Sequence, residues 1–67
     1  MEITVNQEAY QVTDVCTVQY LLAVILNTPA KGIAVAVNEA ILSKGNWESH
    51  ILNPGDQIII IKATQGG

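Results

Sequence analysis

Four consecutive isoleucines, Ile58, Ile59, Ile60 and Ile61, stand one residue beyond the turn sequence Asn-Pro-Gly-Asp at 53–56. β-Branched side chains are stiff and pack well on a pleated surface, so an unbroken apolar run after such a turn predicts a strand buried on both faces. In a chain of 67 residues there is room for one domain and one small core. A domain near this size buries only about 60% of the surface its unfolded chain exposes, so this run belongs in the middle of the sheet. The remaining apolar residues are of the same kind. Nine Ile, seven Val, seven Ala and five Leu stand beside no Phe, one Trp and two Tyr, which predicts an aliphatic, β-branched core.

The other elements follow from periodicity. Residues 2–6 alternate polar and apolar with Ile3 and Val5 on one side, the period of a half-buried strand. Asn6, Gln7 and Glu8 interrupt the pattern, and residues 9–13 restart it with Tyr10 and Val12 on one parity, which predicts a hairpin. Asp14 and Thr17 are both candidate N-caps. Beyond them Val18, Leu21, Leu22 and Ile25 fall on one helical face, and Asn27, Thr28, Pro29 and Gly32 end that helix. Residues 33–37 place Ile33, Val35 and Val37 on one parity and Ala34 and Ala36 on the other, predicting a strand with one deep and one thin face. Asn38 and Glu39 make a turn, 40–43 a short strand, and 44–50 a polar crossover holding Trp47, with no secure regular element.

The order β-β-α-β-β-β puts one helix across one mixed sheet. The first strand, at the far end of the chain from the isoleucine strand, is its natural parallel neighbour through a long crossover. The expected fold class is α+β: a β-grasp, ubiquitin-like domain over 1–62, about five strands with one main helix on one face, followed by a flexible tail at 63–67.

Composition excludes several functions. Lys31, Lys44 and Lys62 are the strong bases, there is no Arg, and six carboxylates bring the net charge to -3, so no basic footprint for nucleic acid exists. The longest apolar run, 20–26, has seven residues against about 20 for a membrane span. The start lacks a basic segment and an apolar h-region, and a single Cys16 makes no internal disulfide; both favour the cytoplasm. One His and one Cys offer no metal set and no catalytic triad, so the expected assignment is metal: none, catalytic: none. Cys16 reads as a small core or cap residue, His50 as a surface residue, Trp47 as a packing plug, and Asp56 as a turn carboxylate accepting nearby backbone N–H groups.

Three segments carry a family resemblance: Met-Glu-Ile-Thr-Val-Asn at 1–6, Ile-Ala-Val-Ala-Val-Asn at 33–38, and Asn-Trp-Glu-Ser-His-Ile-Leu-Asn-Pro-Gly-Asp-Gln-Ile at 46–58. With the terminal Gly66-Gly67 they resemble the thiamine-biosynthesis sulfur carrier (ThiS) family over essentially the whole chain. Gln7 and Glu39 depart from it, standing where the family often has Gly after Asn, which leaves those two turn types open. The resemblance implies a carrier, not an enzyme. Its Gly67 carboxylate is adenylated by a partner adenylyltransferase of the ubiquitin-activating-enzyme-like (ThiF) type using MgATP, and then becomes a thiocarboxylate. The sulfur comes from a donor such as a cysteine desulfurase and passes to a thiazole synthase of the ThiG type. The chain itself binds no cofactor.

The tail chemistry has a physical logic of its own. A carboxylate repels nucleophiles and has no good leaving group, whereas an acyl-adenylate presents a neutral carbonyl and releases AMP. Two glycines let the backbone thread a narrow channel, so Gly66, with Gln65 before it, is expected to enter a partner's active site. Five residues at about 3.3 to 3.6 Å each reach roughly 17 Å. On a sheet covered by one helix, two of the four isoleucines point away from it. Gln57 favours Ile59 and Ile61 as that pair and Lys62 favours Ile58 and Ile60; the family pattern after Gly-Asp selects Ile59 and Ile61 as a docking pair. Two other readings fit the same residues: a molybdopterin synthase small subunit, and a ubiquitin-like modifier or protein-binding module.

Overall fold

The computed structural model describes residues 1–29 and 31–62. Five strands form one mixed sheet: β1 (Glu2–Val5), β2 (Glu8–Gln11), β3 (Ile33–Val37), β4 (Ala40–Leu42) and β5 (Gln57–Lys62). Their order is β2-β1-β5-β3-β4, so the isoleucine strand is central. β1 and β5 run parallel through Thr4↔Gln57 and Val5↔Ile58. The other pairs are antiparallel, the longest running from Ile33↔Lys62 to Val37↔Ile58.

The alternation of each strand decides what lies inside. Ile3, Val5, Val35, Val37 and Ile58 are buried on one face with Val18, Leu21, Leu22, Trp47 and Leu52. Ile58 is 0% exposed and Ile60 packs partly against this core. The expectation of an isoleucine strand buried on both faces is corrected here: Ile59 and Ile60 are half-buried and Ile61 is 55% exposed. A central position pairs both edges of a strand, but the single helix covers only one face of this sheet.

The helical segment begins as α1 (Val18–Tyr20) and widens into a π-helical stretch, Leu21–Ile25. Of the two candidate caps Thr17 serves, its Oγ1 accepting from Tyr20 N–H at 3.1 Å. The crossover satisfies the remaining first-turn donors: Val18 N–H reaches His50 C=O and Gln19 N–H reaches Trp47 C=O, at 3.1 and 3.0 Å. Every early helical N–H thus has an acceptor, as a buried helix start requires. The π spacing carries the Leu26 N–H to Leu21 C=O and brings Leu26, beside the expected Ile25, against the core. Asn27 at φ 50 then turns the chain, as the Asn-Thr-Pro sequence predicts.

The crossover is better built than its polar sequence suggests. A 3-10 turn, Lys44–Asn46, delivers Trp47 into the core, where its Nε1–H donates to Leu42 C=O at 3.1 Å. The plug reading of Trp47 holds. His50 is half-buried, not a surface residue, because its carbonyl is fixed on the helix start.

Candidate functional site

Two hairpin turns flank β5 and are near copies of each other. Asn6 and Gln7 have φ of 50 and 71, and Asn38 and Glu39 have φ of 51 and 71. Two successive positive φ values define the hairpin turn that matches strand twist, for which Asn-Gly is the favoured pair. That settles the turn types and explains both asparagines. Asn tolerates the left-handed conformation, and each side chain also serves the central strand. Asn6 Oδ1 accepts from Ile60 N–H at 2.8 Å, and Asn38 Oδ1 accepts from Gln57 N–H at 2.9 Å. Gln7 and Glu39 carry the steric cost of a Cβ at the second position.

Asn38 also ties this frame to the turn before β5. Its Nδ2 donates to Asp56 Oδ1 at 3.0 Å, while Asp56 Oδ2 accepts from Asn53 N–H at 2.8 Å. The buried carboxylate therefore has partners on both oxygens, as its turn sequence implies. Gly55 supplies the φ of 84 that a Pro-Gly turn demands. β5 is held by Asn38 at its first residue, Gln57, and by Asn6 at Ile60, and Lys62, at its other end, is paired with Ile33. The central strand is thus paired through its last residue, Lys62.

The uncovered face of the sheet carries a row of apolar residues. Ala36 pairs with Ile59 on one side and Ile41 on the other, and Ala34 pairs with Ile61. Ile41 is 72% exposed. The structure therefore brings Ile59 and Ile61 to the face away from the helix, and it adds Ile41, which sequence reading placed only in a short strand. The signal was present: Ile41 opposes the parity of Ala40 and Leu42. Beside this row a hollow of about 440 Å³ crosses β5, lined by Thr4, Gln7, Glu39, Gln57 and Ile59. Gln65, Gly66 and Gly67 lie outside the described residues.

Cys16 belongs to the core. Burial pushes its thiol above the ordinary value, which disfavours the reactive thiolate. Among the described residues no group of three or more His, Cys, Asp or Glu is placed to hold a metal, and no helix is long and apolar enough to cross a membrane.

A single helix packed on a mixed five-stranded sheet, with the two chain-terminal strands parallel at its centre, defines a β-grasp protein. The fold matches a crystal structure of a thiamine biosynthesis protein (ThiS) from Geobacter metallireducens with TM-score 0.86 over 100% of both chains. The solution structure of a Geobacter metallireducens thiamine biosynthesis protein matches at 0.77, over 100% of this chain and 88% of that one. Identity is 23% in both, so this likeness concerns the fold alone. The sulfur carrier protein ThiS of Escherichia coli (strain K12) is 36% identical over 67 residues, the full length of both chains. The ThiS family model matches residues 1–67, and the chain belongs to the ThiS family.

Proposed function

We propose that this chain is the sulfur carrier for the thiazole moiety of thiamine, with Gly67 as the group that is modified. The observation that carries the reading is the family match across residues 1–67, which includes the Gly66-Gly67 terminus. In this scheme the Gly67 carboxylate attacks the α-phosphorus of MgATP on a ubiquitin-activating-enzyme-like adenylyltransferase and expels pyrophosphate. The terminal sulfur of a persulfide on a donor such as a cysteine desulfurase then attacks the acyl carbon and expels AMP. A second thiol cleaves the acyl disulfide so formed, releasing the thiocarboxylate and leaving a disulfide on the thiols. The resulting thiocarboxylate holds sulfur as a soft nucleophile for a thiazole synthase.

The body's part is recognition and aim. β5 fixes where the tail departs, Gln65 and Gly66 thread into the partner's site, and Ile59 and Ile61 dock on the partner beside it. Full burial of an isoleucine is worth about 1.5 to 3 kcal/mol, so docking gains roughly half of that at Ile61, 55% exposed, and less at the half-buried Ile59. Intact mass spectrometry tests the scheme, using the full chain with the adenylating enzyme, MgATP and a sulfur source. The carrier gains one sulfur in exchange for one oxygen, and deleting Gly67 abolishes the exchange. Covalent attachment to another protein would instead mark a modifier, and an unchanged mass would refute the carrier reading.

A further inference from the structure

The hollow across β5 has an unusual lining for a surface next to an apolar row. Thr4 and Gln7 form the wall on the β1–β2 side, Glu39 stands on the β3–β4 side, and Gln57 and Ile59 make the floor. Its polar groups are one hydroxyl, two amides and one carboxylate, so acceptors are in excess and the formal charge is negative. No described cation pairs with Glu39; the ion pair found among the described residues joins the amino terminus and Asp14. Gln7 and Glu39 both hold positive φ, where glycine would relieve the strain and leave the wall without a side chain.

We infer that this hollow receives an arginine side chain from a protein that docks on the apolar row, with Glu39 as the residue that selects it. A guanidinium is planar and offers five N–H donors in a fixed fork, which suits a hollow that holds a carboxylate, two amides and a hydroxyl, with Ile59 in its floor for the apolar part of the side chain. Lysine, a compact point charge, satisfies one or two of these acceptors at a time. The hollow is continuous with the docking row because Ile59 belongs to both. The occupant comes from a different protein, since this chain contains no Arg and a second copy has none to offer. The inference rests on the docking role proposed for Ile59 and names the complementary group on the partner.

The test is the affinity of the full chain for the thiamine-pathway adenylating enzyme at low and high salt. Glu39→Gln weakens binding about tenfold at low salt, and the deficit shrinks as salt is added. Glu39→Gly weakens it to a similar degree although it relieves the turn and raises thermal stability, a split that a purely structural role does not produce. Among arginine-to-lysine variants of the enzyme, one loses affinity for the wild-type chain and loses none further with Glu39→Gln. Wild-type affinity of both Glu39 variants, a deficit independent of salt, or no coupled arginine overturns the inference. If Ile59→Lys nevertheless loses binding, the docking face stands without the arginine; if Ile59→Lys also binds normally, the docking reading falls with it.

Discussion

The two faces of the sheet use the same kinds of residue to opposite ends. On the helix side Ile3, Val5, Val35, Val37 and Ile58 are buried against Leu21, Leu22, Trp47 and Leu52. On the other side Ala34, Ala36, Ile41, Ile59 and Ile61 form an apolar row with no helix over it, and Thr4, Gln57 and Glu39 lie beside it. Strand alternation alone separates the faces, so a slip of one residue in β5 would exchange them. The register is pinned by side chains from both neighbouring turns, Asn6 onto Ile60 and Asn38 onto Gln57. A four-isoleucine strand can therefore supply core and surface together without ambiguity.

The sharpest contrast is between Ile58 and Ile61. Ile58→Ala, in a fully enclosed site, costs about 2 to 5 kcal/mol, most of the stability of a domain this small. Ile58→Val, at about 0.5 to 1.5 kcal/mol, keeps the chain folded. Ile61→Ala changes stability by less than about 0.5 kcal/mol. Urea unfolding followed by Trp47 fluorescence reads all three, and equal losses at 58 and 61 would mean that the faces are not distinct.

The pins come next. Asn38→Ala loses the bond from Gln57 N–H and a donor to the buried Asp56, Asn6→Ala loses the one bond from Ile60 N–H, and both place a Cβ at positive φ, so the costs are about 2 to 4 and about 2 kcal/mol. Amide hydrogen exchange at Gln57 and Ile60 reports which pin has been lost. In the other direction, Gln7→Gly and Glu39→Gly each raise stability by up to about 1 kcal/mol, because both positions hold positive φ. Thermal denaturation checks the sign; a lower melting temperature would show that the side chains contribute more than the strain costs.

The smallest effect is one of pH. Burial raises the Cys16 thiol above its ordinary value of 9.0, so the unfolded chain ionises first as pH rises. Its contribution is complete below that value and is lost between it and the raised folded value. Denaturation midpoints at neutral and alkaline pH should therefore fall less for Cys16→Ala than for the wild type, and parallel curves would contradict this.

Most of the frame was legible in the sequence because periodicity carried it. Ile3 and Val5, Tyr10 and Val12, Val18, Leu21 and Leu22 each lie on the face that their spacing predicts. Nothing in a period announces the π widening that brings in Leu26, and the crossover hid its order because its hydrogen bonds join Trp47 and His50 to the distant helix start. The outward parity of Ile59 and Ile61 was readable only with the family pattern, since Gln57 and Lys62 argue for opposite parities. The hollow could not be read at all: Thr4, Gln7, Glu39 and Gln57 meet only once β5 lies between the two hairpins.

Division of labour between the faces is tested most directly by comparing sulfur loading of Ile58→Val and Ile59→Lys with wild type, by intact mass under initial-rate conditions with limiting adenylating enzyme. Ile58→Val should be the less stable of the two and load at the wild-type rate. Ile59→Lys should stay folded and load about tenfold or more slowly, as expected for an isoleucine lost from the contact. Wild-type loading by Ile59→Lys, or slow loading by a folded Ile58→Val, would contradict the assignment of recognition to the uncovered face.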